Sequence, residues 1–381
     1  MSVAAPLWSS PEAHLAAERP DQPTLFFAPA ELGRSARRFL DGFPGLVTYA
    51  VKANPEPTVL LTLIQAGIRG FDVASPQEIA LLRRLAPDAA LHYHNPVKSR
   101  REIAFALDHG VRTFAADCRA EIDKIAALAA ERGLAGEIEV SVRFRLPVAG
   151  AAYCFGSKFG AEPEAAAALM RRAAAAGFGV SLTFHPGTQC EAPEAWSAYL
   201  RRAALIAGEA GIRPRRLNVG GGFPADLYGR AHDLTPYFAA IRDARDAAFG
   251  PDMPLVCEPG RAMVASCMAL AAQVKLVRED GAVFLNDGVY GGLDELPVLG
   301  RAHAHRWVAS DGTPRRGAPR PATLFGPTCD SLDRLPGELS APADVAEEDY
   351  VLFSAMGAYG SVTATRFNGY GALRTALAAS L

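Results

Sequence analysis

Residues 46–74 read LVTYAVKANPEPTVLLTLIQAGIRGFDVA. The stretch opens on a β-branched and aromatic run, 46–52, of the kind that forms a buried strand. Pro55 and Pro57 end it. From 57 to 66 apolar residues fall at helical spacing, and Gly67 stands where a helix C-cap expects it. A second short strand follows at 70–74. A strand, a helix and a further strand make one βαβ unit with parallel strands.

The unit recurs outward from there. Strands are expected at 46–52, 70–74, 90–94, 111–116, 138–145, 179–185, 216–220 and 254–258. Helices are expected at 57–66, 76–86, 100–109, 119–132, 163–176, 194–210 and 235–248. Eight such strands predict a closed (β/α)8 TIM-type barrel over 29–261, with a doubly wound open sheet as the alternative. After 260 the rhythm changes. Strands are expected at 262–277, 282–290, 321–326 and 349–356, with turn-rich stretches between them and helical pattern returning only at 370–380. This predicts a separate, mostly-β domain over 262–381. The segment 1–28, with TLFF at 24–27, is expected to join it.

The 381 residues are 50% hydrophobic and 21% charged, an ordinary globular balance that argues against disorder. The net charge of −2 gives no electrostatic drive toward nucleic acid or acidic membranes. No apolar run reaches the ~18 residues of a membrane span, and the N-terminus lacks a secretory pattern. The six cysteines show no metal-ligand spacing, so no metal is expected, and reduced thiols in a cytoplasm are the default. Cys118, Cys154, Cys190, Cys257 and Cys267 read as small apolar fillers.

Active sites of such barrels lie at the C-terminal ends of the strands. Lys52 ends the first, in YAVKANP; it is one of only five lysines. Asp72 lies in the second, and Glu78 opens the next helix. His94-Asn95 ends the third, Arg143 the fifth and His185 the sixth. Gly220-Gly221-Gly222 follows the seventh, and Glu258-Pro259-Gly260-Arg261 the eighth. A buried lysine is costly unless paired or used covalently; it is a Schiff-base nucleophile or the ion-pair partner of Asp72 or Glu78. Three glycines expose backbone N–H groups to an anion; the alternative is a tight turn. Lysine, phosphate cradle and acid together suggest pyridoxal 5′-phosphate, the acid pairing with the ring nitrogen. His185 either stacks on a flat cofactor or is a satisfied core histidine. Arg143 either serves the site or forms a rim ion pair. Cys329-Asp330, in FGPTCDSLD, puts a thiol beside an acid in a turn.

In order, YAVKANP, FDVASPQEI, SKFG, FHPGTQ, NVGGGFP, EPGR, NDGVYGG, GPTCDSLD and GAYG with FNGY resemble the motifs of the fold-type III pyridoxal-phosphate decarboxylases of basic amino acids, especially the ornithine decarboxylase branch. The resemblance spans about residues 24 to 371. It implies that Lys52 carries the cofactor, that His185 stacks on its ring and that Glu258 pairs with its nitrogen. Gly220, Gly221, Gly222, Gly260, Arg261 and Tyr359 would bind phosphate, with Thr188 close by; Asp72, Glu78 and Arg143 would support ring and lysine. Cys329 and Asp330 would reach into the partner subunit's site of a two-fold homodimer. There Cys329 would steer protonation and Asp330, with Tyr290, would meet the substrate. Asp294 or Glu295 would supply a second substrate acid, although the spacing after NDGVYGG departs from the family's usual one. Pro186 and Thr188 likewise stand where the family usually has a β-branched residue and serine.

The function expected is decarboxylation of a diamino acid, L-ornithine to putrescine and CO2 first. Lysine, diaminopimelate, a D-diamino acid or an amine conjugate are the alternatives within the family. Diaminopimelate enzymes typically carry glutamate after the cysteine, where this chain has Asp330. A racemase on the same scaffold and a non-catalytic regulator are the competing classes, and the presence of Lys52, Glu258, Cys329 and Asp330 speaks against both.

Overall fold

A computed structural model describes residues 6–152, 156–229 and 232–381; Cys154 lies outside them. The chain divides into two compact units. One holds the described residues of Ala36–Pro224 and His232–Ala262; the other holds those of Met1–Ser35, Ala225–Ala231 and Met263–Leu381.

The first unit is a closed barrel of eight parallel strands. They are β1 (Leu46–Ala50), β2 (Gly70–Val73), β3 (Ala90–Tyr93), β4 (Thr113–Ala116), β5 (Glu139–Arg143), β6 (Gly179–Thr183), β7 (Leu217–Asn218) and β8 (Leu255–Cys257). β8 closes the ring against β1, pairing Val256 with Leu46. The helices between them run Pro57–Ala66, Pro76–Leu85, Arg100–Asp108, Arg119–Glu131, Pro163–Ala175, Glu194–Ala210 and Thr235–Phe249. Local chemistry fixes their ends. Gly67 terminates the first at φ 110°, a conformation L-residues rarely adopt. Ser99 and Glu102 form a reciprocal capping box at the third. The strands are buried on both faces, which is why they read as near-continuous apolar runs. Cys118 is no core filler: it is exposed, at the N-cap of Arg119–Glu131.

The second unit is strand-rich. Met268–Val277 pairs antiparallel with Thr24–Phe27, Val283–Leu285 and Tyr350–Phe353. Tyr350–Phe353 also carries His305–Val308. Leu15, Phe26, Ala271, Val308, Tyr350 and Leu352 form a buried cluster with Ala378.

Three expectations are corrected here. The first strand after the barrel does not begin at 262: Arg261–Val264 is a helical turn, and the strand starts at Met268. The second expected strand stops at Leu285 instead of running to 290. The helix expected at 370–380 is a strand, Arg374–Ala378, parallel to Thr24–Phe27. Its alanine-rich sequence favours helix, but a neighbouring strand edge offers the backbone a full ladder, and tertiary pairing overrides weak propensity. Strands His305–Val308 and Leu339–Pro342 had no alternating signal strong enough to read.

Candidate active site

The charged residues of the barrel gather at the C-terminal ends of its strands. Lys52 lies in a single 3₁₀ turn, Val51–Ala53, directly after β1. Asp72 is on β2, Arg143 is the last residue of β5, and His185 and Glu258 follow β6 and β8. These five line one cavity of about 400 Å³, whose wall also includes His94, Asn95, Lys158 and Phe159. Lys52 is exposed, contrary to the buried amine expected, because the cavity opens beside it.

Glu78 sits in the first turn of Pro76–Leu85, where its carboxylate accepts from Ala74 N at 2.7 Å. It therefore closes the β2 loop, and the positive charge of Lys52 acts on it. Arg143 lies with its guanidinium 5.3 Å from the centre of the Phe159 ring.

The glycines matter for packing. Gly220 has φ 67°, and a Cβ there would fall 2.2 Å from Phe184 O. Gly222 has φ 85°, and its Cβ would fall 2.1 Å from Gly187 O and 3.3 Å from the His185 ring. Gly221 would meet Glu258 O at 2.6 Å. The turn therefore lies flat beside the imidazole and the β8 end, which no other residue type permits. Gly260 passes close to Ala50 and Ala53, and Arg261 opens the short helix after it. Thr188, half-buried, holds Ala152 N through its carbonyl.

The titration of the site follows from enclosure and charge. Burial pushes Asp72 up to about 8, and the like charge of Glu258 adds to this. Burial also works to raise Glu258. The charge and hydrogen bond of His94, with a bond from Asn218 and the charge of Lys52, outweigh it and hold Glu258 well below the ordinary carboxylate range. One carboxyl thus stays ionised while its neighbour keeps a proton near neutrality. Burial, then the charges of Arg143 and Lys52, push His185 down to about 3. Gly187 N donates to its Nδ1 at 3.1 Å, so the proton of the neutral ring sits on Nε2.

In the strand-rich unit a second group assembles. Tyr290 donates its hydroxyl to Asp330 Oδ2 at 2.5 Å, and Leu332 N donates to Oδ1 at 2.9 Å. Those bonds, the backbone one first, lower the Asp330 pKa and keep it ionised. Cys329 is exposed, and both its amide and its thiol donate to Asn368 Oδ1, at 3.1 and 3.2 Å. Asp294 lies at the N-terminus of Glu295–Leu299, bonded to Thr363 and pushed up to about 6 by burial. Tyr359 holds φ 65° at the start of Gly360–Thr363, a strained setting for a non-glycine residue.

Two residues with central positions were not singled out from the sequence. His94 stood in the roll of strand-end residues without a role, and Asn218 escaped notice beside its glycines. The signal for both was a polar side chain ending an otherwise apolar strand.

The sequence profile of the pyridoxal-binding domain of the pyridoxal-dependent decarboxylases matches residues 30–265. The chain belongs to that family. It is 36% identical over 333 residues to a lysine/ornithine decarboxylase of Selenomonas ruminantium, covering 85% of this chain and 81% of that one. The arginine decarboxylase of Paramecium bursaria Chlorella virus, solved with agmatine, superposes with a TM-score of 0.86 at 27% identity, over 96% of this chain and 98% of that one. A Vibrio vulnificus lysine/ornithine decarboxylase solved with putrescine superposes with a TM-score of 0.82 at 26% identity, over 97% and 99%. The protein is a pyridoxal-phosphate-dependent decarboxylase of basic amino acids, built on the barrel and strand-rich domain of its relatives.

The residues of the decarboxylase suit that cofactor. Asp72 Oδ1 and His94 Nε2, both at the cavity, are buried without a hydrogen-bond partner. An ionised acid, a lysine and an arginine surround the same space, and the glycine turn packs against His185 and the backbone at Glu258, which line it. Among the described residues no helix is long and apolar enough to cross a membrane.

Proposed function

We propose that the decarboxylase converts L-ornithine to putrescine and CO2, working as a two-fold homodimer. The observation that carries this reading is the Cys329–Asp330 turn. It presents an exposed thiol beside a short carboxylate kept ionised by Leu332 N and Tyr290, which suits a substrate ending in a simple ammonium. Lysine is the second reading, supported by the Selenomonas relative, which is named for both substrates.

Pyridoxal phosphate, when bound, supplies an electron sink for the bond to the departing carboxylate. The chain supplies the rest. Lys52 would be the amine that holds the cofactor covalently. Glu258, ionised, would balance a proton on the ring nitrogen. Neutral His185 would contact the ring, and Gly220–Gly222, Gly260, Arg261, Tyr359 and Thr188 would hold the phosphate. Asp330 anchors the distal ammonium, which orients the carboxylate for loss. Cys329 delivers the proton that replaces CO2 on the α-carbon. CO2 release from a panel of L- and D-ornithine, lysine, arginine and diaminopimelate tests the reading. L-ornithine is expected to give the highest kcat/KM, and a preference for arginine or diaminopimelate removes the argument from Asp330.

The dimer reading has its own test. Lys52→Ala and Cys329→Ala, each inactive, are mixed in equal amounts under conditions of subunit exchange. If each site takes its lysine from one subunit and its thiol from the other, half the dimers are mixed and each has one intact site. About a quarter of parental activity then returns. No recovery, with exchange confirmed by native mass spectrometry, places both residues in one subunit's site.

A further inference from the structure

Glu258 does not stand alone. His94 follows β3, and strands β1 and β2 lie between β3 and β8 in the ring. Its side chain nevertheless crosses the barrel mouth and bonds through Nδ1 to Glu258 Oε1. Asn218, at the end of β7, donates Nδ2 to the same oxygen. The Asn218 amide is itself turned, because its Oδ1 accepts from Gly220 N at 2.9 Å. One carboxylate oxygen thus receives two donors from two directions, 3.2 Å apart from each other. His94 is 7% exposed, so its ring is packed in place.

We propose that His94 is a positioning residue for the decarboxylase, a buried cation that keeps Glu258 charged and fixed in orientation and thereby sets the protonation of the cofactor's ring nitrogen. The inference rests on the reading of Glu258 as the acid that pairs with that nitrogen.

The groups facing the pair decide the sign. Asp72 bears on both, and Glu139 acts on His94 from the base of the barrel. Lys52 and Arg143 are the other cations near Glu258. Buried His92, whose ring centre lies 5.3 Å from that of His94, is held neutral by its surroundings and adds no charge. A buried carboxylate beside a second carboxyl would ordinarily take up a proton. Burial likewise opposes charge on His94, but the Glu258 carboxylate outweighs it and raises the His94 pKa. The cation and the anion therefore maintain each other. Without the imidazolium, the Glu258 pKa rises toward neutrality. As pH falls through that raised value Glu258 becomes neutral and no longer balances a protonated ring nitrogen.

The test is titration of the cofactor-free protein with pyridoxal phosphate from about pH 6 to 8.5, with affinity read from absorbance and quoted as the ratio of variant to parent. His94→Gln keeps volume and a donor but removes the charge. Its ratio is expected to show about 10- to 100-fold weaker binding at the acid end, converging toward one at the alkaline end. Free imidazole is expected to restore the acid-end affinity of His94→Gly. Where His94→Gln does not yield folded protein, His94→Asn makes the same comparison. A ratio near one throughout overturns the proposal, as does a loss that is the same at every pH, which is what a packing role produces. Glu258→Gln separates the two layers of argument. If it binds weakly at every pH while His94→Gln matches the parent, the Glu258 reading stands and the His94 inference falls. If Glu258→Gln itself binds as the parent does, the Glu258 reading fails and takes the inference with it.

Discussion

Lys52→Ala protein, purified with added pyridoxal phosphate, is expected to lose the yellow absorption of the holoenzyme, and its activity to fall by more than about 1000-fold. The expectation follows from what the other four lysines are doing. Lys98 is fully buried, its ammonium hydrogen-bonded to Asn95 O at 2.7 Å and Ala115 O at 2.8 Å and ion-paired with Glu121 at 3.1 Å. It has neither access nor a free rotamer. Lys124 is tied to the same Glu121 at 2.5 Å. Lys275 lies in the strand-rich unit against Tyr370. Lys158 does reach the cavity wall, but its ammonium is 5.0 Å from the centre of the Phe159 ring. Lys52 is the exposed amine that faces Glu78, Asp72 and Glu258 together. Borohydride reduction of the parent, followed by peptide mapping, is expected to place the cofactor on Lys52. Label on Lys158 would sink the assignment.

Asp330→Asn is expected to lower kcat/KM for diamino acids by about 30- to 1000-fold while leaving cofactor absorbance and affinity unchanged. Asparagine preserves the shape of the turn, since its side-chain oxygen can still accept from Leu332 N or Tyr290. What it removes is the ionised oxygen that those two donors maintain. A substrate ammonium then meets a dipole instead of a charge. Asp294 is the control. Burial has pushed it to about 6, so part of its population is already neutral near pH 6, and it has Thr363 as a partner. Its replacement by asparagine is expected to cost much less. A kcat/KM for Asp330→Asn within about threefold of the parent, across all diamino acids, ends the role given to Asp330.

The barrel was legible because its signal is repeated and local. LVTYA at 46–50 and VSLT at 180–183 are apolar strands with glycine or proline at their borders, and each is followed by a helix that ends on a left-handed glycine, Gly67 or Gly211. The strand-rich unit lacks that redundancy. Arg374–Ala378 is helix-like in composition, and only its partner at Thr24–Phe27 makes it a strand. The site divides the same way. Lys52, Glu258 and the three glycines announce themselves by type at strand ends. His94 acquires its meaning from a contact that crosses the barrel, and sequence spacing does not encode that crossing. The burial assumed for Lys52 failed for a related reason: a strand end points into the protein, but here the protein has a hole beside it.

The sheet built on Thr24–Phe27 has consequences for synthesis. That strand is made before the barrel, yet both of its neighbours, Met268–Val277 and then Arg374–Ala378, follow only after the whole barrel has been translated. Leu7–Trp8, which pairs in turn with Leu377–Ala378, waits equally long. Throughout elongation the nascent chain therefore carries an apolar strand with an open edge, the kind of surface that recruits chaperones or sticks to other chains. Loss of Arg374–Ala378 alone would leave every barrel residue intact and still leave Thr24–Phe27 and Leu7–Trp8 without the strand that joins them, so an intact barrel does not guarantee a finished sheet.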